Sequence, residues 1–285
     1  MPDVKDALGR SFRAGGYRRI VSLVPSWTES LFRLGAGERV VGVTDYCVEP
    51  AAALEVRRVG GTKNPRLDDI VGLHPDLIVA NIEENRRGDI ERLQSAGIPA
   101  FVTDAHTVEQ ALVELRRLGE LVGAANLKAV VEPIEEELKA QQARPVPRRP
   151  RVFVAIWRDP WMTVNGETFI GDMIRVCGGQ NVFEERERRF PLSADVGSPG
   201  EERTVGGRDR RYPRVSVQEI VERAPDLILL PDEPFAFCER DAQEWRERVG
   251  LRARVELVDG KVLSWYGVRM GESMRRLKVL LDEGE

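Results

Sequence analysis

Trp27, Trp157, Trp161 and Trp265, four of the five tryptophans, each stand just beyond a short apolar run, where the chain turns polar. Large aromatic faces in such places suit a big, flat, partly apolar ligand, such as a tetrapyrrole or an aryl metal chelate. Arg269 and Lys63 are placed to neutralise carboxylates or phosphates on it. Other chemistry finds little support. The chain has two histidines, His74 and His106, too few for an imidazole-built metal centre or a Ser–His–Asp set. His74 precedes Pro75 at a helix end and reads as structural, and His106 follows Asp104 at a strand end. Cys47, Cys177 and Cys238 are far apart and form no CxxC, so buried or unremarkable thiols are expected rather than a disulfide framework or a zinc knuckle. Glu83 and Glu84 are adjacent on one loop and poorly placed to act as an acid–base pair. No GxGxxG, P-loop or HExxH occurs.

The elements that carry these residues come twice. Ile70–Val79 reads IVGLHPDLIV and Ile220–Leu229 reads IVERAPDLIL, at an offset of 150 residues. Each is a helix end, a Pro that stops it, an Asp and a β-branched run, hence a helix-to-strand junction with a buried strand. Polar loops, helices (Asp89–Ser95, Asp241–Arg248) and further strands (Pro99–Thr103, and Arg254–Val258 after Gly250) follow each copy. The halves open on strands at Arg19–Val24 and Arg151–Ile156. Alternating strands and helices imply parallel sheets with right-handed crossovers, and two copies imply two Rossmann-like lobes.

Ligands of open α/β sheets sit beyond the carboxyl ends of strands. Those positions are Pro25–Glu29, Asp45–Tyr46 and Asn81–Asn85 in the first half. In the second they are Trp157–Trp161, Asp232–Phe237 with Phe235, and Ser264–Arg269.

Three segments are expected: an α/β lobe over 19–125, a connecting helix over 126–143 and an α/β lobe over 151–285. In the connector Val130, Val131, Ile134 and Leu138 share one face, Pro133 is a candidate kink, and the length is about 24 Å. Residues 184–212, rich in Arg, Glu and Gly, read as a surface insertion, either a mobile decoration or a lid.

Of 285 residues, 42% are hydrophobic and 32% charged, the balance of a globular protein. The formal charge of −4 gives no general attraction for nucleic acid. Met1–Tyr17 has no apolar core or cleavage site, and no stretch approaches the roughly 20 apolar residues of a membrane span. As it stands the sequence reads as cytoplasmic.

With these elements assembled, the chain resembles the substrate-binding proteins that feed ABC importers of vitamin B12, haem and iron–siderophores, a class III periplasmic-binding-protein-like family. The likeness is carried by RIVSLVPSWTESLFRLGAGERVVGVTDYCVEP (19–50), GGTKNPRLDDIVGLHPDLIVA (60–80), the helical tie, VCGGQNVF, and YPRVSVQEIVERAPDLILL. Within the family it is similar to the cobalamin-binding branch, with haem or an iron–siderophore as alternatives. The resemblance implies a non-enzymatic, monomeric, extracytoplasmic binding protein with no cofactor of its own, whose metal arrives inside the ligand. With the strand mouths it makes Pro25, Ser26, Trp27, Glu29, Tyr46, Lys63, Asn81, Glu83, Asn85, Trp157, Trp161, Phe235, Trp265, Tyr266 and Arg269 candidate ligand contacts. It also implies one carboxylate per lobe docking on Arg pockets of a permease: Glu83 or Glu84 in the first lobe and Glu219 in the second, where Gln218 stands at the position expected to be Glu. Two other readings remain: a cytoplasmic chelate carrier or sensor, and a two-lobed transferase, against which stands the lack of a Gly-rich loop after either first strand.

Overall fold

A computed structural model describes residues 3–196, 207–248 and 252–283. The chain forms two compact units, one of Met1–Ala105, Glu109–Glu136 and Trp265–Met270, the other of His106–Val108, Glu137–Ser264 and Gly271–Glu285. The first unit begins with a hairpin of β1 (Asp3–Lys5) and β2 (Ser11–Arg13). It continues through β3 (Ile20–Ser22), α1 (Pro25–Arg33), β4 (Val40–Val43), α2 (Leu67–Gly72), β5 (Leu77–Asn81), α3 (Arg87–Ser95) and β6 (Ala100–Thr103). Then come α4 (Val108–Val122) and α5 (Leu127–Ala143). Helix α5 runs unbroken through Pro133, and the division between units falls inside it. Val131, Ile134 and Leu138 are its buried face, with Val130 only partly covered.

The second unit holds β7 (Arg151–Val154), α6 (Phe169–Val176), β8 (Gln180–Asn181), α7 (Leu192–Asp195), α8 (Val217–Glu222) and β9 (Leu227–Pro231). It ends with α9 (Glu239–Arg246), β10 (Arg254–Val258), α10 (Lys261–Ser264) and α11 (Met270–Asp282). Its sheet order is β10-β9-β7-β8 and that of the first unit is β4-β3-β5-β6, with every pair parallel. Numbered from each unit's first sheet strand, both orders are second-first-third-fourth, so the two units share one topology, in line with the two similar lobes that the repeat implies. Buried strands pack apolar side chains, Val21 and Ile78 in one unit and Phe153 and Ile228 in the other, with helix residues on the sheet faces such as Ile90 and Trp245.

The repeat has a structural cause. The carboxylate of Asp76 accepts the backbone N–H groups of Arg18 and Arg19 at 2.7 and 2.9 Å. Asp226 accepts that of Arg151 at 2.9 Å. Each Asp therefore fixes where the first strand of its sheet begins. Before each Pro the chain leaves the helix through a left-handed residue, His74 (φ 46°) or Ala224 (φ 42°).

Two expectations are corrected. The first compact unit begins before residue 19, because the hairpin packs onto it: Phe12 meets Phe101 edge-on at 5.3 Å, and Ala7 N–H bonds to Val102 O at 2.9 Å. The described parts of the 184–212 insertion are not loose. Arg186 and Asp195 are both buried and paired at 3.1 Å, and Arg214 Nε reaches Asp195 Oδ2 at 2.8 Å. Charge pairing replaces the apolar periodicity that the insertion lacks. Residues 197–206, the middle of the 184–212 insertion that the lid reading concerns, and Gly250 lie outside the described residues.

Candidate functional site

In the first unit the segment after β3 is the start of a helix rather than a loop. Pro25 opens α1, its fixed φ and missing N–H suiting the first turn. Ser26 and Trp27 are consequently buried. The Trp27 indole donates to Thr103 Oγ1 at 2.7 Å, and its ring lies 4.9 Å from Tyr266. Trp265 and Tyr266 are buried as well. The next residue is Gly267 at φ 95°, where a Cβ would come within 2.3 Å of Ser30 Oγ and 3.1 Å of the Trp27 ring. Only glycine lets this segment lie so close to α1. Arg269 then forms a two-pronged ion pair with Glu29, at 2.8 and 2.9 Å. Its charge is thus met by a carboxylate within the first unit.

The Asn81–Asn85 segment is shaped by its own amides. Asn81 Oδ1 accepts the N–H groups of Glu83 and Glu84, and Asn81 Nδ2 donates to Thr103. Asn85 Oδ1 accepts Asn81 N–H, and its Nδ2 donates to Leu23 O and Thr62 O. Both amides are buried with their capacity used, so they build the loop instead of facing outward. Lys63 is exposed and donates to Glu83 O. Glu83 and Glu84 are half-buried.

Tyr46, beyond β4, is 62% exposed. Its loop is held by Arg58, whose Nη1 donates to Thr44 O at 2.7 Å and Cys47 O at 2.8 Å. No spacing in the sequence pointed to Arg58. Burial pushes the Cys47 thiol up, so it remains a thiol bonded to Thr28 and Thr44.

In the second unit Trp157 is 44% exposed, on a tight antiparallel bridge with Met162 that follows β7. Phe235, half-buried beyond β9, braces it edge-on at 5.4 Å. Behind them Phe237 stacks flat on Trp161 at 5.7 Å, and Trp161 meets Trp245 at 5.1 Å, so Trp161 belongs to the core. Of the four tryptophans at strand mouths, only Trp157 presents a face to solvent. Glu219 is shared by Arg186 at 3.1 Å and Arg223 at 3.2 Å, and its N–H is capped by Ser216. Its carboxylate is therefore engaged within the second unit. Gln218 is exposed and bonded to Glu222. Burial raises the Cys177 pKa to about 12, while Cys238 is an exposed free thiol.

Among the described residues no group of three or more His, Cys, Asp or Glu is placed to hold a metal ion, and no helix is long and apolar enough to cross a membrane. What the geometry offers is exposed aromatic surface at the carboxyl ends of each parallel sheet: Tyr46 in one unit, Trp157 and Phe235 in the other.

The sequence profile of the periplasmic binding protein family matches residues 20–247. A vitamin B12-binding protein of Vibrio campbellii is 25% identical over 226 residues, 76% of this chain and 72% of its own. One of Yersinia pestis is 26% identical over 216 residues, 74% of this chain and 69% of its own. In fold, the chain is similar to the periplasmic haem-binding protein of Roseiflexus sp. RS-1, with a TM-score of 0.76, 20% identity, and 94% of this chain and 99% of that one covered. It is also similar to the periplasmic vitamin B12-binding protein of Vibrio cholerae, with a TM-score of 0.73, 21% identity and 94% and 98% covered. These relatives are binding proteins, not enzymes, and this chain, matched over most of its length, belongs to the periplasmic binding protein family.

Proposed function

We propose that the protein binds a metal chelate, a corrinoid first and haem or an iron–siderophore otherwise, and delivers it outside the cytoplasm to an ABC importer. The observation that carries this reading is the match, over three quarters of the chain, to vitamin B12-binding proteins. The geometry supports it. Tyr46, Trp157 and Phe235 expose flat aromatic surface where open α/β sheets bind ligands. Such faces cover a tetrapyrrole ring at little cost in side-chain entropy. The metal arrives inside the ligand, and no cofactor is resident. Lys63, Glu83 and Glu84 supply polar rim contacts beside the Asn81–Asn85 turn.

The experiment is a titration of purified protein with cobalamin, cobinamide, haem and ferric siderophores, followed by Trp fluorescence and ligand absorbance. Saturable one-to-one quenching by one of them is expected and names the ligand. No response to any of them removes the chelate assignment. Delivery is tested by co-purification of the loaded protein with a permease encoded beside it.

One observation favours a second reading. Glu219, the carboxylate expected to dock on a permease in the second unit, is engaged by Arg186 and Arg223. A chelate carrier or sensor without a permease would retain ligand binding and show no co-purification.

A further inference from the structure

The described stems of the 184–212 insertion gather arginines around one aromatic ring. Above or beside Phe190 stand the guanidinium groups of Arg188 at 5.3 Å, Arg208 at 5.2 Å and Arg214 at 5.7 Å. One ring quadrupole attracts a cation but does not offset the mutual repulsion of three. Arg214 is answered by Asp195 at 2.8 Å. The other carboxylates nearby are committed too, Asp209 to Arg211 at 2.7 Å and Glu187 to Arg210 at 3.1 Å. Arg188 and Arg208 form no ion pair among the described residues, and the buried Nε of Arg188 has no hydrogen-bond partner among them. Burial, and then the charge of Arg214, push the Arg188 pKa below its usual value. Two forked donors thus converge on one ring, one from each stem of the insertion, with no ion pair of their own among the described residues. The stems are themselves joined, since Arg188 N–H bonds to Arg210 O at 2.7 Å and Arg210 Nε to Arg188 O at 3.2 Å.

We propose that Arg188 and Arg208 hold a free dianionic oxyanion of the phosphate type against the edge of Phe190. A tetrahedral dianion offers several acceptor oxygens, which two planar guanidinium forks engage in pairs. The site uses neither Tyr46, Trp157 nor Phe235 and does not depend on the chelate reading.

The test is calorimetric titration of the whole chain with inorganic phosphate at constant ionic strength, with chloride as the control. Saturable one-to-one binding is expected for phosphate and none for chloride. Arg208→Gln, on an exposed side chain that leaves the fold intact, weakens binding at least tenfold. Arg188→Lys keeps the charge but loses the fork and also weakens it. Arg188→Gln is read only where its circular dichroism matches the parent. Absence of saturable binding, or an unchanged affinity in Arg208→Gln, overturns the proposal.

Discussion

Arg269 and Glu29 meet through two parallel hydrogen bonds, at 2.8 and 2.9 Å, with side chains only 16% and 15% exposed. The loop after α10 is thereby fastened to α1 with the geometry that makes arginine–carboxylate pairs specific. Glu29→Gln and Arg269→Met are each expected to lower unfolding stability by about 1–3 kcal/mol, since each leaves a partly buried partner uncompensated. The double variant should lose less than the sum. Urea unfolding of the three variants measures the coupling, and strict additivity would show that the pair is not an energetic unit.

Trp157 and Trp27 are the same residue type in opposite situations. Trp157→Ala should weaken chelate binding about tenfold or more while leaving the melting temperature close to the parent's, because much of that ring is already in water. Trp27→Ala removes a fully buried ring and its bond to Thr103 and should cost about 3–5 kcal/mol of stability. Paired measurements of affinity and stability separate the two. Equal affinity in Trp157→Ala would place the ligand elsewhere.

Glu114 is buried on α4, and that burial raises its pKa to about 7 against the opposing pull of Arg117. Unfolded, it titrates near 4.5. Between these values the folded state holds a proton that the unfolded state has released. Stability therefore falls as pH rises from about 4.5 to 7 and levels off above, a loss of about 2–3 kcal/mol from this group. Glu114→Gln should flatten that part of the profile. Unfolding free energies from pH 5 to 8 give the comparison, and an unchanged slope in the variant would assign the dependence to other groups.

Asp195 accepts from Arg186, from Arg214 Nε and from the backbone N–H groups of Arg189 and Arg214. Asp195→Ala leaves the buried Arg186 with Glu219 as its one remaining carboxylate partner among the described residues and should cost about 1–3 kcal/mol. Hydrogen exchange is then expected to rise at 186–196 and 207–214 ahead of the β7–β9 core. Uniform exchange across the unit would mean that the anchor and the sheet unfold together.

The strands next to the repeated Pro-Asp were legible because three constraints coincide there: a helix-stopping Pro, a carboxylate that fixes the sheet edge, and a β-branched run. The bounds Arg254–Val258, read instead from the helix and Gly250 before them, match β10. The opening hairpin was not legible, since its strands have three residues each with a single buried one, Val4 or Phe12, too little for any period to register. At the site, Tyr46 and the Trp157–Phe235 pair lie at the strand mouths where the alternation put them. The inward turn of Trp27, Trp161 and Trp265 was invisible. It depends on partners far along the chain, such as Thr103 for Trp27, and on the close approach at Gly267. The insertion misled for a related reason: Arg186 and Asp195 read as solvated charges until each is seen to neutralise the other.

His74 and Ala224 share little chemically, yet both hold the left-handed turn before a Pro, 150 positions apart in identical settings. Glycine would adopt that backbone with less strain, and neither half uses it. The two halves hold in common a shape rather than a residue. Correspondence of that kind marks a constraint on the backbone, met by different side chains at the joint that sets where each sheet begins.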